Sequence, residues 1–385
     1  MLNKNHNYRR FFILILLSFW FMGRGEELFA QVGEADFEQQ KEMKKEKRTK
    51  LIGFPILFYL PETRIAGGGA GSLTFRFRGD SLNSYPSNIA FGAAYTQNRQ
   101  LLTYINFRVF SNNEKYLNYG EMGFFIYNYF FYGVGNQVSP DYEEYYGITY
   151  PRIRWHSLIR VNPKSYLGIR VDYDRFRLHD LEETGLLNSD VFPGAPVGVL
   201  NRGMGVVYNY DSRNIQFFPS SGWFIEALAM YTFTDYPENQ KNTGKGFLKL
   251  IFDINTYTNP VKNHVLAFNF HNELNIGVVP FHSMAVIGGP RRMRGFYEGR
   301  YRDHHVVVLQ SEYRIPVYGV FGMAAFISAG NVFSGVNDYE WRNVRISGGL
   351  GVRFKMDKKD HLNLRLDYGI GKNTSAFYLT FREAF

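Results

Sequence analysis

The sequence lacks cysteine altogether, although it has 385 residues. Disulfide frameworks, cysteine-ligated zinc sites and iron–sulfur clusters are therefore excluded. Beyond residue 30 it also lacks any apolar run near the roughly twenty residues that a membrane-spanning helix needs. The formal net charge is +9, but no stripe of basic residues interleaved with aromatic residues stands out, so we expect no nucleic-acid partner.

The N-terminal segment has the composition of an export signal. A basic stretch that ends at Arg10 precedes the apolar residues 11–23, and the small residue Ala30 follows at the distance of a cleavage site. We therefore predict a signal peptide over residues 1–30, with an uncleaved N-terminal anchor as the alternative. Residues 31–50 are polar and densely charged, and we predict a short periplasmic lead-in there.

Glycine and aromatic residues are abundant, with 38 Gly, 36 Phe and 28 Tyr. From residue 51 onward, about sixteen segments alternate apolar with polar residues at a period of two, as residues 169–174 do. Such segments are long enough to cross a bilayer as tilted strands, and a closed sheet leaves no unpaired edge in lipid. The sequence therefore predicts an all-β fold, a transmembrane antiparallel β-barrel of about sixteen strands over residues 51–385.

The predicted connections differ in length between the two ends of the barrel. If the first strand starts in the periplasm, connections after even-numbered strands are mostly short turns, whereas those after odd-numbered strands include long outer loops. The turn predicted at residues 78–88 is longer than this pattern suggests. The other predicted turns cover residues 111–115, 162–165, 258–263 and 316–319, and the long outer loops cover residues 133–147, 178–199, 236–246 and 277–304.

The string DSRNIQFFPSSG at residues 211–222 has the chemistry of a strand end followed by a turn. Its proline stops strand pairing, and its final glycine accommodates a positive φ. Any β-turn could hold the last four residues, but the whole string is more specific. The residues that we single out as a periplasmic turn motif are Asp211, Arg213, Pro219 and Gly222.

A second string, IGGPRRMRGFYEG at residues 287–299, combines glycines with arginines in the longest predicted outer loop. From these residues alone, an exposed basic loop and a loop that folds into the lumen are both open. The residues that we single out as a lumen-loop motif are Gly288, Gly289, Arg294, Gly295 and Phe296.

Further strings follow toward the C-terminus, namely EYRIP, FISAGNVF, SGGLGVRF and LRLDYG, which begin at residues 312, 326, 347 and 364. With the two strings above, they resemble the outer-membrane assembly-factor superfamily, also called the bacterial surface antigen family. The resemblance covers the barrel and is strongest in its C-terminal half. It implies a sixth outer loop that folds inward into the lumen, and a periplasmic turn at residues 211–222.

The resemblance also implies a role for Arg294. In this family the corresponding arginine lies inside the barrel, where its fork-shaped guanidinium can bind a wall carboxylate in bidentate fashion. The usual aspartate partner falls at Ser328, where this sequence departs from the family. Glu312 and Asp367 alternate to the polar faces of their strands. We keep these two acids and Ser328 as candidate partners of Arg294, because an unpaired buried arginine is costly.

The last predicted strand ends the chain. Phe377, Leu379, Phe381 and Phe385 alternate onto one face, and an amphipathic final strand that ends in phenylalanine is the usual assembly signal of outer-membrane barrels. We therefore predict a C-terminal assembly signal at Phe377, Phe381 and Phe385. Superfamily members commonly carry POTRA domains before the barrel, for which residues 31–50 are too few, so we expect a short member without POTRA domains.

The sequence offers no Ser–His–Asp arrangement and no phosphate-binding loop, and we expect no enzymatic activity, no cofactor and no metal. The resemblance implies a factor that aids insertion or translocation of proteins at the outer membrane, through a lateral seam between the first and last strands. Its partners would be outer-membrane lipid and lipopolysaccharide, a periplasmic or surface protein, and an unfolded barrel or secreted protein as substrate.

Two other functions stay open at this point. One is a passive channel or surface receptor, and the other is a membrane anchor for a separately encoded partner. A wide lumen that the loop of Arg294 leaves unfilled would favour the channel. A short or poorly paired first strand would favour the assembly factor.

Overall fold

The computed structural model describes residues 49–60, 64–81, 84–139, 141–215, 218–237, 244–357, 362–381 and 383–385. The predicted signal peptide lies outside these residues, and so does the predicted lead-in apart from its last two positions. The first strand begins at Thr49, two residues before the predicted start of the barrel. The described residues form no helix that is long and apolar enough to cross a membrane.

Eighteen β-strands account for most of the described residues. Their bounds are β1 (Thr49–Leu60), β2 (Arg64–Phe75), β3 (Ser87–Thr96), β4 (Leu101–Ser111), β5 (Tyr116–Phe131), β6 (Glu144–Asn162), β7 (Ser165–His179), β8 (Gly198–Asp211), β9 (Gly222–Asp235), β10 (Gly246–Thr258), β11 (Val265–Gly277), β12 (Ala285–Ile287), β13 (Tyr301–Asp303), β14 (His305–Tyr318), β15 (Phe321–Phe333), β16 (Arg345–Asp357), β17 (Leu362–Gly371) and β18 (Thr374–Phe381). Four single turns of 3-10 helix lie between strands in this part of the chain, at Leu186–Asn188, Phe281–Ser283, Val336–Asp338 and Trp341–Asn343.

Sixteen of these strands form one antiparallel sheet, in which every strand pairs with its neighbours in the chain. The short strands β12 and β13 form a separate hairpin, so that β11 pairs directly with β14. β1 and β18 stand at the two ends of the sheet order. The predicted all-β fold with about sixteen antiparallel strands is confirmed, whereas the additional hairpin within residues 278–304 was not predicted.

Apolar side chains cover the outside of the sheet, and polar side chains occupy its inside. On β7, Ile169 and Val171 are 48% and 41% exposed, whereas Arg170 and Asp172 are each 8% exposed. A soluble β-sandwich shows the reverse pattern, with apolar side chains buried. Lipid solvates apolar side chains, and a barrel interior can hold paired charges, so this alternation is that of a membrane barrel.

The strands vary in length more than predicted. Most have the expected 9–15 residues, but β5 and β6 have 16 and 19 residues, and β18 has 8. β6 therefore begins at Glu144, inside the stretch that was predicted as a loop. Its outer end continues as a strand because Tyr146 and Ile148 are buried there in an apolar cluster with residues of the long connections.

Three long connections, at residues 132–143, 180–197 and 278–304, pack together at the end of the barrel opposite the short turns. The guanidinium carbon of Arg302 lies 5.3 Å from the centroid of the Phe131 ring within this assembly. We call the assembly the outer cap. The outer cap packs on the ends of β5, β6 and β7. The buried apolar cluster formed there consists of Phe131, Tyr146, Ile148, Tyr150, Phe176, Leu187, Ala195 and Phe281.

Candidate functional site

The interior wall of the barrel carries charged side chains on three strands near the end of the chain. Alternation at a period of two turns these side chains inward, and each of them is at most 3% exposed. Charges this deeply buried need partners. The side chains are those of Glu312 and Arg314 on β14, Arg353 on β16, and Arg365 and Asp367 on β17.

The connection at residues 278–304 folds back into the barrel at the lumen-loop motif. Gly288, Gly289 and Gly295 have φ angles of +108°, +81° and +112°, which lie in the region that favours glycine. A Cβ atom at Gly295 would lie 2.7 Å from the backbone of Ile370 on β17. Glycine therefore lets the loop backbone approach the wall this closely.

Apolar residues of this loop form a small core inside the barrel. Met293 and Phe296 are fully buried there against residues of β12, β13, β14 and β15. Burial of each large apolar side chain contributes roughly 1.5–3 kcal/mol. Apolar contacts therefore hold the loop in addition to its ion pairs. The cluster consists of Ala285, Ile287, Met293, Phe296, Tyr301, Val306, Val308 and Val332.

Arg294 lies between two wall carboxylates. Its Nη1 donates to Asp367 Oδ2 and its Nη2 donates to Glu312 Oε2, each at 2.5 Å. The guanidinium carbon also lies 3.6 Å from the centroid of the Phe326 ring. The residue is fully buried, so its positive charge is balanced entirely by protein groups. Glu312 and Asp367, both named from the sequence, are thus the residues that the structure places against Arg294.

Further arginines bind the same two carboxylates. Glu312 accepts hydrogen bonds from Arg314 at 2.7 Å and from Arg353 at 3.1 Å. Asp367 accepts one from Arg353 at 2.5 Å, and the Arg365 Nε lies 3.4 Å from its Oδ2. Each carboxylate therefore contacts three arginines, and the loop is tied to the wall through a shared network rather than through one pair.

The end of the chain completes this network. β18 ends at Phe381, and residues 383–385 do not continue it. The Glu383 carboxylate accepts a hydrogen bond from Arg353 Nε at 2.9 Å and lies 3.6 Å from Arg314 Nε, and its side chain is 2% exposed. We use the name ion-pair cluster for the side chains of Arg294, Glu312, Arg314, Arg353, Arg365, Asp367 and Glu383.

Ser328, the third candidate partner of Arg294, contacts Gln310 instead. The Ser328 hydroxyl donates to Gln310 Oε1 at 3.2 Å, and the same oxygen accepts from the backbone N–H of Met293 at 3.1 Å. The described contacts of Ser328 include no hydrogen bond to Arg294. A serine side chain is short and uncharged, so the ion pairs of Arg294 are made by the carboxylates of other strands, and Ser328 supports the loop through Gln310.

The last strand contacts the loop through Tyr378. The backbone N–H of Gly295 donates to the Tyr378 hydroxyl at 3.0 Å, and this hydroxyl donates to the Phe296 carbonyl at 3.1 Å. Tyr378 can face inward because Phe377 and Leu379, its neighbours on β18, face outward and are 55% and 63% exposed. β18 and the loop tip are therefore joined directly.

The periplasmic turn motif lies at the opposite end of the barrel from the outer cap. Arg213 donates to both carboxylate oxygens of Asp211, at 2.9 and 2.7 Å. The Pro219 carbonyl accepts a hydrogen bond from Arg314 at 3.4 Å, which links this turn to the ion-pair cluster. Gly222 has a φ of +101°, as a turn glycine should, while positions 216 and 217 of the string lie outside the described residues.

The three phenylalanines of the predicted assembly signal occupy different surroundings. Phe377 faces outward on β18, and Phe381 is the last residue of that strand. The predicted common face does not extend to Phe385, because the strand has ended and the Phe385 carbonyl accepts a hydrogen bond from Arg314 at 3.0 Å inside the barrel. The role of the three residues in assembly stays a prediction.

Sequence reasoning missed six residues of this site, namely Arg314, Phe326, Arg353, Arg365, Tyr378 and Glu383. Period-two alternation places Tyr378 on the inward face of the last strand. This was the sequence signal that could have identified it. Nothing local identifies Glu383, since its arginine partners are 30 or more positions away in the chain.

The described residues include no group of histidine and acidic side chains suited to a metal ion. His282 lies in the outer cap, and burial holds its pKa well below the ordinary value. Its ring centroid lies 3.6 Å from that of Phe176. This imidazole therefore stays neutral, and the cap around it is apolar.

Comparison with known proteins agrees with this geometry. A family model described as the Omp85 superfamily domain matches residues 198–382. That range contains the turn motif, the lumen-loop motif and six of the seven members of the ion-pair cluster. No curated protein sequence matches the chain.

Solved structures with the same fold include three outer-membrane barrels. BamA from Haemophilus ducreyi lacking POTRA domains 1-3 is 13% identical over 87% of this chain and 69% of that chain, with a TM-score of 0.55. CdiB from Acinetobacter baumannii is 12% identical over 86% and 59%, with a TM-score of 0.53. CdiB from Escherichia coli is 10% identical over 87% and 62%, with a TM-score of 0.51.

At these identities the likeness shows the fold alone, and the chain spans less than two thirds of the length of either CdiB structure. All of the described residues belong to barrel strands and their connections, and none of them forms a POTRA domain. The family match and the shared barrel fold confirm the resemblance seen in the sequence. Residues 198–382 therefore match the Omp85 superfamily domain, and the protein is a β-barrel of the bacterial outer membrane.

Proposed function

We propose that this barrel assists the insertion or translocation of proteins at the outer membrane through a lateral seam between β1 and β18. The match of residues 198–382 to the Omp85 superfamily domain supports insertion or translocation in general terms. The observation that carries the seam is the order of the sheet, in which β1 and β18 are the two ends and no ladder joins them among the described residues. Parting of two such strands would offer backbone groups that pair with an incoming strand.

The first strand is neither short nor poorly paired, so the ladder lengths support the same seam only through β18. β18 pairs with β17 over eight residue pairs, whereas β1 pairs with β2 over twelve. The last strand therefore has fewer backbone hydrogen bonds to lose when it moves. Its second attachment is the loop tip, through Tyr378, so the position of β18 and the position of the loop are coupled.

The groups that lie inside the barrel count against a passive channel. The loop with Arg294, the ion-pair cluster and residues 383–385 occupy the barrel interior, and the outer cap packs over one end. An open conduction path needs a continuous water-filled lumen, as porins have. The insertion or translocation function needs no such path, because the substrate would use the seam.

The substrates that we propose are unfolded barrels or secreted proteins, which supply strands with free backbone groups. Outer-membrane lipid and lipopolysaccharide would contact the outward apolar face. A periplasmic or surface protein is a further partner that we propose, because the connections at the periplasmic end are shorter than the three connections of the outer cap. No covalent chemistry is part of this function.

A reconstitution tests the proposal. Full-length protein is placed in lipid vesicles, a small barrel protein unfolded in urea is added, and its insertion is followed by heat-modifiable migration on gels. We expect faster insertion than in empty vesicles and than in vesicles with an equal amount of an unrelated sixteen-stranded porin. Equal rates in all three preparations would argue against the proposed function.

A further inference from the structure

The segment 383–385 is held inside the barrel like a bound peptide. Glu383 is bound by Arg353 and lies beside Arg314, and the Phe385 carbonyl accepts a hydrogen bond from Arg314. The Phe385 side chain packs against a buried apolar cluster. The groups that receive the segment, which we call the tail site, are Arg314, Arg353, Tyr257, Val265 and Ala267.

The tail site is built without the segment that fills it. Arg314 is held by Glu312 at 2.7 Å, and Arg353 is held by Glu312 at 3.1 Å and by Asp367 at 2.5 Å. These contacts fix both guanidinium groups on the wall when the segment is absent. A preorganised pair of cations beside an apolar surface binds a ligand with little ordering cost.

The segment itself is suited to leave as a unit. Residues 383–385 form no strand, so no backbone ladder fixes them to the sheet. Their described anchors include the Glu383 carboxylate, the Phe385 main-chain oxygen and the Phe385 side chain. Because the Glu383 side chain is 2% exposed, it is either fully paired in the site or released to water, since a buried carboxylate without partners is too costly.

We propose that the tail site is a peptide-binding site for a segment with a glutamate followed two positions later by an aromatic residue. In the closed barrel it holds residues 383–385 of the chain itself. A chain that presents the same pattern competes for the site once this segment leaves. The competition by an incoming chain rests on the proposed function. The occupancy of the site by residues 383–385 does not.

Cysteine labelling tests occupancy of the site by the chain itself. The protein has no cysteine, so Ala384→Cys introduces a single thiol at a position that is 8% exposed. In detergent-solubilised full-length protein we expect slow reaction with a maleimide, and roughly tenfold faster reaction after Glu383→Gln, which removes a charge-assisted contact. Lys372→Cys, in the exposed turn between β17 and β18, should react fast in both backgrounds.

Glu383→Gln changes the segment and leaves the wall residues unaltered, and heat-modifiable migration of each variant checks that its barrel is folded before labelling. Fast labelling of Ala384→Cys in the otherwise unchanged protein would overturn the claim that residues 383–385 occupy the tail site. An unchanged labelling rate after Glu383→Gln would overturn it as well. Labelling in detergent requires no insertion activity. A failed reconstitution would therefore leave this result intact, and a failed labelling result would leave the seam proposal standing.

A synthetic peptide with the sequence of residues 377–385 tests competition. Added in excess to the Ala384→Cys protein, it should accelerate labelling because it takes the site when the segment leaves. The same peptide with glutamine in place of glutamate at position 383 should have a several-fold weaker effect. No acceleration by the first peptide, or equal acceleration by both, would overturn the competition.

Discussion

At the residue scale, the composition of the ion-pair cluster decides which substitutions matter most. The cluster contains four arginines and three side-chain carboxylates, and each carboxylate contacts at least two arginines. Loss of one arginine leaves equal numbers of both charges. Loss of one carboxylate leaves four arginines with two side-chain carboxylates among deeply buried groups. Carboxylates should therefore be the less replaceable members.

We expect Arg294→Gln to lower the free energy of unfolding by about 3 kcal/mol, because two buried charge-assisted hydrogen bonds are lost. Glu312→Gln should lower it further, since it weakens contacts to three arginines and leaves four arginines with two side-chain carboxylates. Urea titration of the protein in detergent, followed by heat-modifiable migration, measures both effects.

Arg202→Gln serves as the control for these variants. Arg202 pairs with Asp235 at 2.7 Å, but the two side chains are 58% and 52% exposed. Surface pairs of this kind contribute about 0–1 kcal/mol. A loss at Glu312 smaller than the loss at Arg294 would contradict the charge argument.

The sequence predicted part of this cluster. The motif around Arg294 and the inward alternation of Glu312 and Asp367 were enough to bring these three residues together. Ser328 was kept as a candidate from family position, and its hydroxyl contacts Gln310 instead. Glu383 could not be found, because its inward position depends on how the chain leaves the last strand, which no periodic pattern encodes.

At the scale of elements, the link between β18 and the loop tip is the feature with most consequence. Tyr378 bonds both Gly295 and Phe296, so the last strand carries part of the loop's attachment. A strand that takes part in a seam and also binds the lumen loop can transmit movement from one to the other. The loop would then respond when the seam parts.

We expect Tyr378→Phe to loosen the loop, because it removes two hydrogen bonds that together contribute about 1–3 kcal/mol. Limited trypsin digestion followed by mass spectrometry measures this through cleavage after Arg294, whose side chain is fully buried while the loop lies in the barrel. Tyr368→Phe is the matched control, as Tyr368 lies on the neighbouring strand with its side chain 37% exposed on the outside. Equal cleavage of the two variants would count against the link.

The sequence predicted the strands well and their outer extensions poorly. Alternation located the sheet, and turn residues located the connections, because both signals are local. The extension of β6 to Glu144 depends on burial of Tyr146 against Phe281, more than a hundred positions away. The hairpin of β12 and β13 is likewise fixed by packing inside the barrel, where its three-residue strands give no recognisable pattern.

At the scale of the whole molecule, the loop, the ion-pair cluster and the outer cap occupy the barrel together. The presence of these groups inside the barrel distinguishes it from an open pore with the same number of strands. We expect the wild-type protein in planar bilayers to show far smaller conductance than a porin, and deletion of residues 288–299 to raise it. Arg202→Gln should leave conductance unchanged. A wild-type conductance equal to that of the deletion variant would favour the passive channel instead.

The seam between β1 and β18 is the central claim, and disulfide closure tests it most directly. Because the chain has no cysteine, one cysteine placed in each of these strands forms the only disulfide. A control pair replaces Met204 and Tyr231, which are direct partners on β8 and β9 and face outward. We expect oxidation of the seam pair to abolish insertion of the unfolded barrel into vesicles and reduction to restore it, with the control pair without effect. Undiminished insertion with the seam pair fully oxidised would contradict the account.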